Sequence, residues 1–199
     1  MFCVKPILNV FFVFSILSFC GCSIFPETQP AIPVSYFDIG CPDKMEQTAP
    51  LKEIEIQNVK TTDPYNERMV FRDSDTHIQI DDYNRWASLP NEMLKKYLIL
   101  AFNQNNTGKL QKSAVSNLDL YATIICLESD LRTNDAKMAI LIEIRDDKKG
   151  DLQYTEFITD SERIDKMSAE SFASAVKIMT DRMIKSLAKN VSQIKIGHR

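Results

Sequence analysis

Glycine is scarce in this chain. Five glycines in 199 residues leave few places where backbone could wrap a phosphate. Neither G-x-x-x-x-G-K-[ST] nor G-x-G-x-x-G occurs. Histidine is scarcer still, with only His77 and His198. Neither has ligand residues at metal-binding spacing, so both read as exposed surface side chains and no metal or cofactor is implied. A Ser or Cys nucleophile would need a base, and His77 is the one plausible candidate. No G-x-S-x-G elbow accompanies it. A hydrolase is therefore disfavoured, and the chain reads as a non-enzyme. Excess basic charge is also missing: 24 Lys and Arg stand against 27 Asp and Glu, which leaves no electrostatic footprint for nucleic acid.

What is present begins at the amino terminus. Met1 to Lys5 is a short segment with one cation, and Ile7 to Phe19 is almost wholly apolar. The run ends in Phe19-Cys20-Gly21-Cys22. This is the pattern of a secretory signal peptide, with the Gly-Cys ending of a bacterial lipoprotein. The apolar run is shorter than the roughly 20 residues a spanning helix needs. Cys22 is the expected lipidation site, because Gly21 is small where Phe19 before Cys20 is bulky. Several acyl chains, palmitate-type among them, hold a protein stably to a bilayer where one does not. Ser23 follows; an Asp there would favour inner-membrane retention, so the expected location is the periplasmic face of the outer membrane.

The chain then divides into a signal peptide over 1–21, a lipidated Cys and Pro-rich tether over 22–33, and one domain over 34–199. Pro26, Pro30 and Pro33 stiffen the tether, which at ~3.1 Å per residue could hold the domain about 30 Å from the membrane. Cys41 and Cys126 are the thiols left after processing. An oxidising compartment permits a disulfide between them. Cys126 lies in an apolar strand, where a buried thiol packs as a small hydrophobe, and two free thiols are the preferred reading.

Alternation predicts most strands. Tyr36–Ile39 reads as a short first strand, closed by Gly40-Cys41-Pro42, and 43–50 as loop. Leu51–Val59 sets Ile54 and Ile56 against Glu53, Glu55 and Gln57. Met69–Arg72 and His77–Ile80 flank an Asp73-Ser74-Asp75 turn. A helix is expected from Pro90, a residue tolerated in the first turn, with Leu94, Tyr97, Leu98, Ala101 and Phe102 on one stripe. Asn103 to Gly108 ends it. Leu118 to Leu127 sets Leu118, Leu120, Ala122, Ile124 and Cys126 on one face. Met138–Ile144 and Leu152–Ile158 follow, giving a three-stranded antiparallel meander with one apolar face. A long helix closes the chain, with Ser168 as N-cap and Phe172, Val176, Met179, Met183 and Leu187 at helical spacing. Its polar face mixes charge signs, so it packs on the core rather than on a membrane surface. The fold class is α+β: a two-layer sandwich, mainly antiparallel sheet packed by two helices.

Three features remain. Asp146-Asp147, beside Lys148 and Lys149, reads as a solvated turn. Asp81-Asp82 lacks calcium-loop spacing and supplies far fewer oxygens than the six to eight that calcium takes. Tyr83, Arg85 and Trp86, the single Trp, are the candidate partner contact, since these residue types are enriched at binding hot spots. The competing assignment places Trp86 in the core, with Arg85 paired to Asp81 or Asp82.

The order lipobox Cys22, Pro-rich tether, Ser35-Tyr36-Phe37-Asp38-Ile39, the Leu51–Val59 strand, Met69-Val70-Phe71-Arg72, Ile78-Gln79-Ile80, then Tyr83-Asn84-Arg85-Trp86-Ala87 running into a helix resembles the ABC-type transport auxiliary (PqiC-like) lipoprotein family. Arg85-Trp86-Ala87 matches that family's motif; Ser88-Leu89-Pro90 keeps the Leu and Pro of its Glu-Pro-Leu in altered order. The resemblance implies a non-enzymatic outer-membrane lipoprotein. Such proteins work with an ABC transporter and a periplasmic MCE-type protein in lipid transport between membranes. Homo-oligomer formation is left open. The alternative is another envelope-assembly lipoprotein, serving lipopolysaccharide or surface polysaccharide.

Overall fold

In a computed structural model the described residues are 32–42, 54–103 and 118–191. Cys22, the proposed tether up to residue 31 and the expected loop over 43–50 lie outside them. Within residues 34–199 the elements run β1 (Ser35–Phe37), β2 (Ile54–Thr61), β3 (Arg68–Arg72), β4 (Ile78–Trp86), α1 (Pro90–Asn103), β5 (Leu118–Asp130), β6 (Asp135–Asp146), β7 (Leu152–Arg163) and α2 (Ala169–Val191). The seven strands form one sheet in the order β1-β4-β3-β5-β6-β7, with β2 also on β5. The two helices pack against it, as the α+β sandwich requires.

The meander is built as its alternation predicts. Ile140, Ile142 and Ile144 of β6 lie buried opposite Ile124, Ala122 and Leu120 of β5. β6 pairs with β7 along its whole length. β5 serves two further strands on its other edge. Its first half takes β2 in parallel, Ile54 to Thr61 along Leu118 to Ile124, and its last two residues take β3, Phe71 and Arg72 along Ser129 and Asp130. Parallel pairing requires a crossover, and α1 supplies it between β2 and β5. The sheet is thus mixed, with a long antiparallel flank.

Two strand readings change. β5 carries an irregularity between Ile124 and Cys126. The extra residue shifts the alternation, so that Leu127 rather than Cys126 joins the buried set and Ile125 is exposed. β4 does not stop at Ile80 but runs on to Trp86, because pairing with β3 resumes at Arg85 opposite Arg68 after a bulge.

Both helices begin where the sequence places them. Pro90 is the first residue of α1. The Ser168 hydroxyl accepts the Ser171 N–H at 3.1 Å and caps α2. Met93, Leu94, Tyr97, Leu98 and Phe102 of α1 and Phe172, Val176, Met179, Met183 and Leu187 of α2 are all buried. The Tyr97 hydroxyl, at the centre of this layer, donates to Asp181 at 2.5 Å, so the buried phenol ties the two helices together.

Candidate functional site

The expected contact segment, Asp81 to Ala87, forms the bulged end of β4. Its shape comes from Asp81. One carboxylate oxygen accepts the Tyr83 and Asn84 backbone N–H groups at 2.7 and 2.9 Å, and the other accepts the Asn84 amide at 2.7 Å. Burial pushes this carboxyl up, but the Asn84 side chain and the two N–H groups outweigh it and hold it below the ordinary range. Asp81 is therefore spent on local backbone. Asp82 turns the other way, to Arg68 at 2.9 Å. The acid pair does not converge on a common point, and among the described residues no group of three or more His, Cys, Asp or Glu is placed to hold a metal.

The bulge parts the three candidate contact residues. Trp86 is 2 % exposed, and its ring packs 5.4 Å from that of Phe172 on α2. Of the two sequence-stated assignments for this Trp, the structure selects the core. Tyr83 is 47 % exposed at the tip of the bulge. Arg85 lies between them in exposure and pairs with Glu67 at 3.2 Å, rather than with Asp81 or Asp82. β1 adds a residue that sequence reasoning did not single out. Tyr36 stands in register with Arg85 and is exposed, while Phe37 beside Trp86 turns inward. The outer surface of β1 and β4 thus presents Tyr36, Tyr83 and Arg85 next to Val34, where the expected tether joins the domain. Exposed ion pairs of this kind contribute about 0–1 kcal/mol, so they leave both arginines available to exchange partners.

A second polar group lies at the far end of β5. Glu128 and Asp130 are buried. Arg72 grips Glu128 through two N–H donors at 2.5 and 2.9 Å, and Tyr65 donates to it at 3.1 Å. Arg132 and Lys137 close on Asp130 at 2.9 and 2.7 Å. Arg132 also reaches Asp75, and Arg72 donates to the Asp75 carbonyl at 3.1 Å, which ties the β3–β4 and β5–β6 turns together. The Arg132 guanidinium, with Lys137 behind it, outweighs burial and holds the Asp130 carboxyl well below the usual range. Burial, then the neighbouring Cys126 and Glu128, push the Tyr65 phenol up. Each charge here has its partner, so the group is a clamp on the sheet rather than an acid–base centre. Nothing in the sequence marked it: Arg72 lies far along the chain from Glu128 and Asp130.

The remaining candidates are local. His77 is exposed and bonds Asp73 through Nδ1 at 2.7 Å, and that bond is the main reason the Asp73 carboxyl lies low. Asp146 caps its own turn by accepting the Lys148 and Lys149 N–H groups at 3.0 and 2.9 Å. Cys41 and Cys126 are free thiols. An apolar crevice between Met93 and Leu94 of α1, Val176 of α2 and Ile140 of the sheet has a cavity of about 20 Å³, room for one water and not for a lipid chain. No described helix is long and apolar enough to cross a membrane.

No family model and no curated protein matches the sequence. Solved structures do. A crystal structure of an uncharacterised protein superposes with a TM-score of 0.65 at 13 % identity, covering 80 % of this chain and 99 % of that one. A Xanthomonas campestris protein assigned to DUF330 superposes with a TM-score of 0.60 at 15 % identity, covering 83 % and 93 %. At such identities the likeness is one of fold. The chain shares an α+β fold with a DUF330 protein.

Proposed function

We propose that this chain is a membrane-anchored periplasmic lipoprotein that makes and breaks no bond, and serves as the outer-membrane docking component of an ABC/MCE-type lipid-transport system. The observation that carries the reading is the concurrence of two independent likenesses. The Arg85-Trp86-Ala87 motif resembles the ABC-type transport auxiliary family, and the fold is shared with a Xanthomonas campestris protein assigned to DUF330. The Gly21-Cys22 ending supplies the anchor in this reading. The exposed Tyr36 and Tyr83 and the half-buried Arg85 supply the contact, beside the tether that would deliver it. Tyr and Arg suit such a surface because each combines a large apolar area with a polar tip.

The test is affinity capture from membranes of the full chain and of its Cys22→Ala variant, with metabolic labelling by a fatty-acid analogue. Label on the wild type alone, and recovery of an MCE-type protein or a permease with it, is the expected result. Undiminished label on the variant refutes the anchor assignment. Recovery of lipopolysaccharide or polysaccharide assembly proteins instead would replace the lipid-transport reading with the alternative.

A further inference from the structure

The sheet ends on one side in β7. This strand is 12 residues long, and among the described residues its only strand partner is β6. A free edge of that length offers a row of unpaired N–H and C=O groups to another chain, and proteins guard such edges with Lys, Pro or brevity. β7 has neither Lys nor Pro. Its open-face side chains Thr155, Phe157, Thr159 and Ser161 are uncharged, and Phe157 is 59 % exposed. The acids fall on the helix-facing side and are already held: Glu156 by the Tyr154 hydroxyl and Asn190, Asp160 and Glu162 by Arg182. The edge is long, and between Thr155 and Ser161 its open face carries no charge, the exposed Arg163 standing at its end.

Its sequence is also complementary to itself. Turned about Phe157 and laid antiparallel, β7 sets Phe157 opposite Phe157, Thr155 opposite Thr159 and Tyr154 opposite Asp160. Registers centred on each other residue from 156 to 161 set an acid opposite an acid, among Glu156, Asp160 and Glu162. Directly opposed aromatics favour a strand pair and directly opposed like charges oppose it, so among these registers charge selects the one centred on Phe157.

The helix above agrees. Arg182 touches Asp160 and Asn190 touches Glu156, so α2 runs antiparallel to β7 and Ser186 stands level with its middle. Ile178, Arg182, Ser186 and Asn190 recur every four residues along that flank; Ile178 is 45 % exposed and Ser186 is small and exposed. With strands ~4.8 Å apart and α2 resting on β6 and β7, a two-fold copy of α2 would stand roughly 10 Å away. That is the spacing of packed helices. We propose that β7 is a homodimer interface, in which a second copy of this chain extends the sheet edge to edge about a two-fold axis through Phe157. The contact is isologous, as two-fold symmetry demands. It does not depend on the lipid-transport reading.

The test uses the full chain in detergent, in a Cys41→Ser background. Phe157→Cys should form a covalent dimer on mild oxidation, since opposed Cα atoms of an antiparallel pair lie at ~4.5–5.5 Å, within disulfide reach. Ser161→Cys should not, because in this register it opposes residue 153. Phe157→Lys should keep the circular-dichroism spectrum of the folded chain and turn a sedimenting dimer into a monomer. A wild type that sediments as a monomer overturns the proposal, as does a Phe157→Lys dimer of unchanged strength. Equal cross-linking at 161, or cross-linking from position 157 to a different protein, does the same.

Discussion

The two flanks of the sheet are made by different means. On one side β5, β6 and β7 are 13, 12 and 12 residues long and pair in nearly continuous register. In β5 and β6 that regularity follows alternation, apolar side chains entering the helix layer, while β7 turns Glu156, Asp160 and Glu162 toward the helix, where Asn190 and Arg182 hold them. On the other side β1 and β3 are 3 and 5 residues long, and β4 is broken by a bulge. That flank is held by particular side chains: Asp81 on its own backbone, Arg72 on Glu128, Trp86 on Phe172. A repetitive flank tolerates exchange of one apolar residue for another. A flank pinned by named partners fails when one partner goes, and it is also the flank that turns Tyr36, Tyr83 and Arg85 outward.

The largest effects should come from the core that both flanks share. Val176→Asp places an unpaired charge between α2 and the sheet and should cost several kcal/mol, about 3 to 5. Trp86→Ala should cost a similar ~3–5 kcal/mol, because it empties a buried site against Phe172. Denaturant unfolding measures both. A Trp86→Ala protein as stable as wild type would contradict the core placement.

Next comes the pinned flank. Arg72→Ala leaves Glu128 buried without its guanidinium. With the Arg side chain itself partly exposed, a loss of about 3 kcal/mol is expected, near the low end for a broken buried pair. Arg72→Met with Glu128→Gln should recover part of that loss. The same change in a half-exposed meander pair, Arg145→Ala against Glu143, should cost no more than about 1 kcal/mol. Equal losses at the two sites would erase the distinction between flanks.

Acid sensitivity should follow the clamp. Asp130 is held below its unfolded pKa, as are Asp81 and Asp73. A carboxyl lowered by folding adds stability that is fully present above the unfolded value of about 3.9 and is lost as pH falls through that value toward the folded one. Unfolding free energy should therefore be level near neutrality and fall below about pH 4. Asp130→Asn should lower the neutral plateau and flatten the acid limb. An unchanged acid limb would show that the Arg132 and Lys137 contacts do not form in solution.

How much of this was legible in the chain depends on the flank. Ile140, Ile142 and Ile144 alternate so cleanly that the meander and its buried face follow from the residues. So do Pro90 and Ser168 as helix starts. Alternation fails where a residue is inserted: Ile125 reverses the faces, and Cys126, expected on the buried face, is only half-buried. Asp81-Asp82-Tyr83-Asn84 has turn composition, and it does make a turn, but one inside a strand whose pairing resumes at Arg85. The parallel pairings of β1, β2 and β3 join segments far apart in sequence, which local pattern does not encode. The Arg72–Glu128 clamp is hidden for the same reason. Of the candidate contact residues, exposure kept Tyr83, burial removed Trp86 from the surface, and Tyr36 emerged only from the β1–β4 register.

The smallest effect on stability is expected at the surface thought to matter most for function. Tyr83→Ala should stay within about 0.5 kcal/mol of wild type, as surface substitutions do. The direct measurement is site-specific photo-cross-linking in membranes, with a photoreactive residue at position 83 of the anchored full chain and, as control, at Lys148 in the β6–β7 turn. An adduct with an MCE-type protein at position 83 and none at 148 is the predicted result. No adduct at 83, or the same adduct at both positions, would contradict the docking surface.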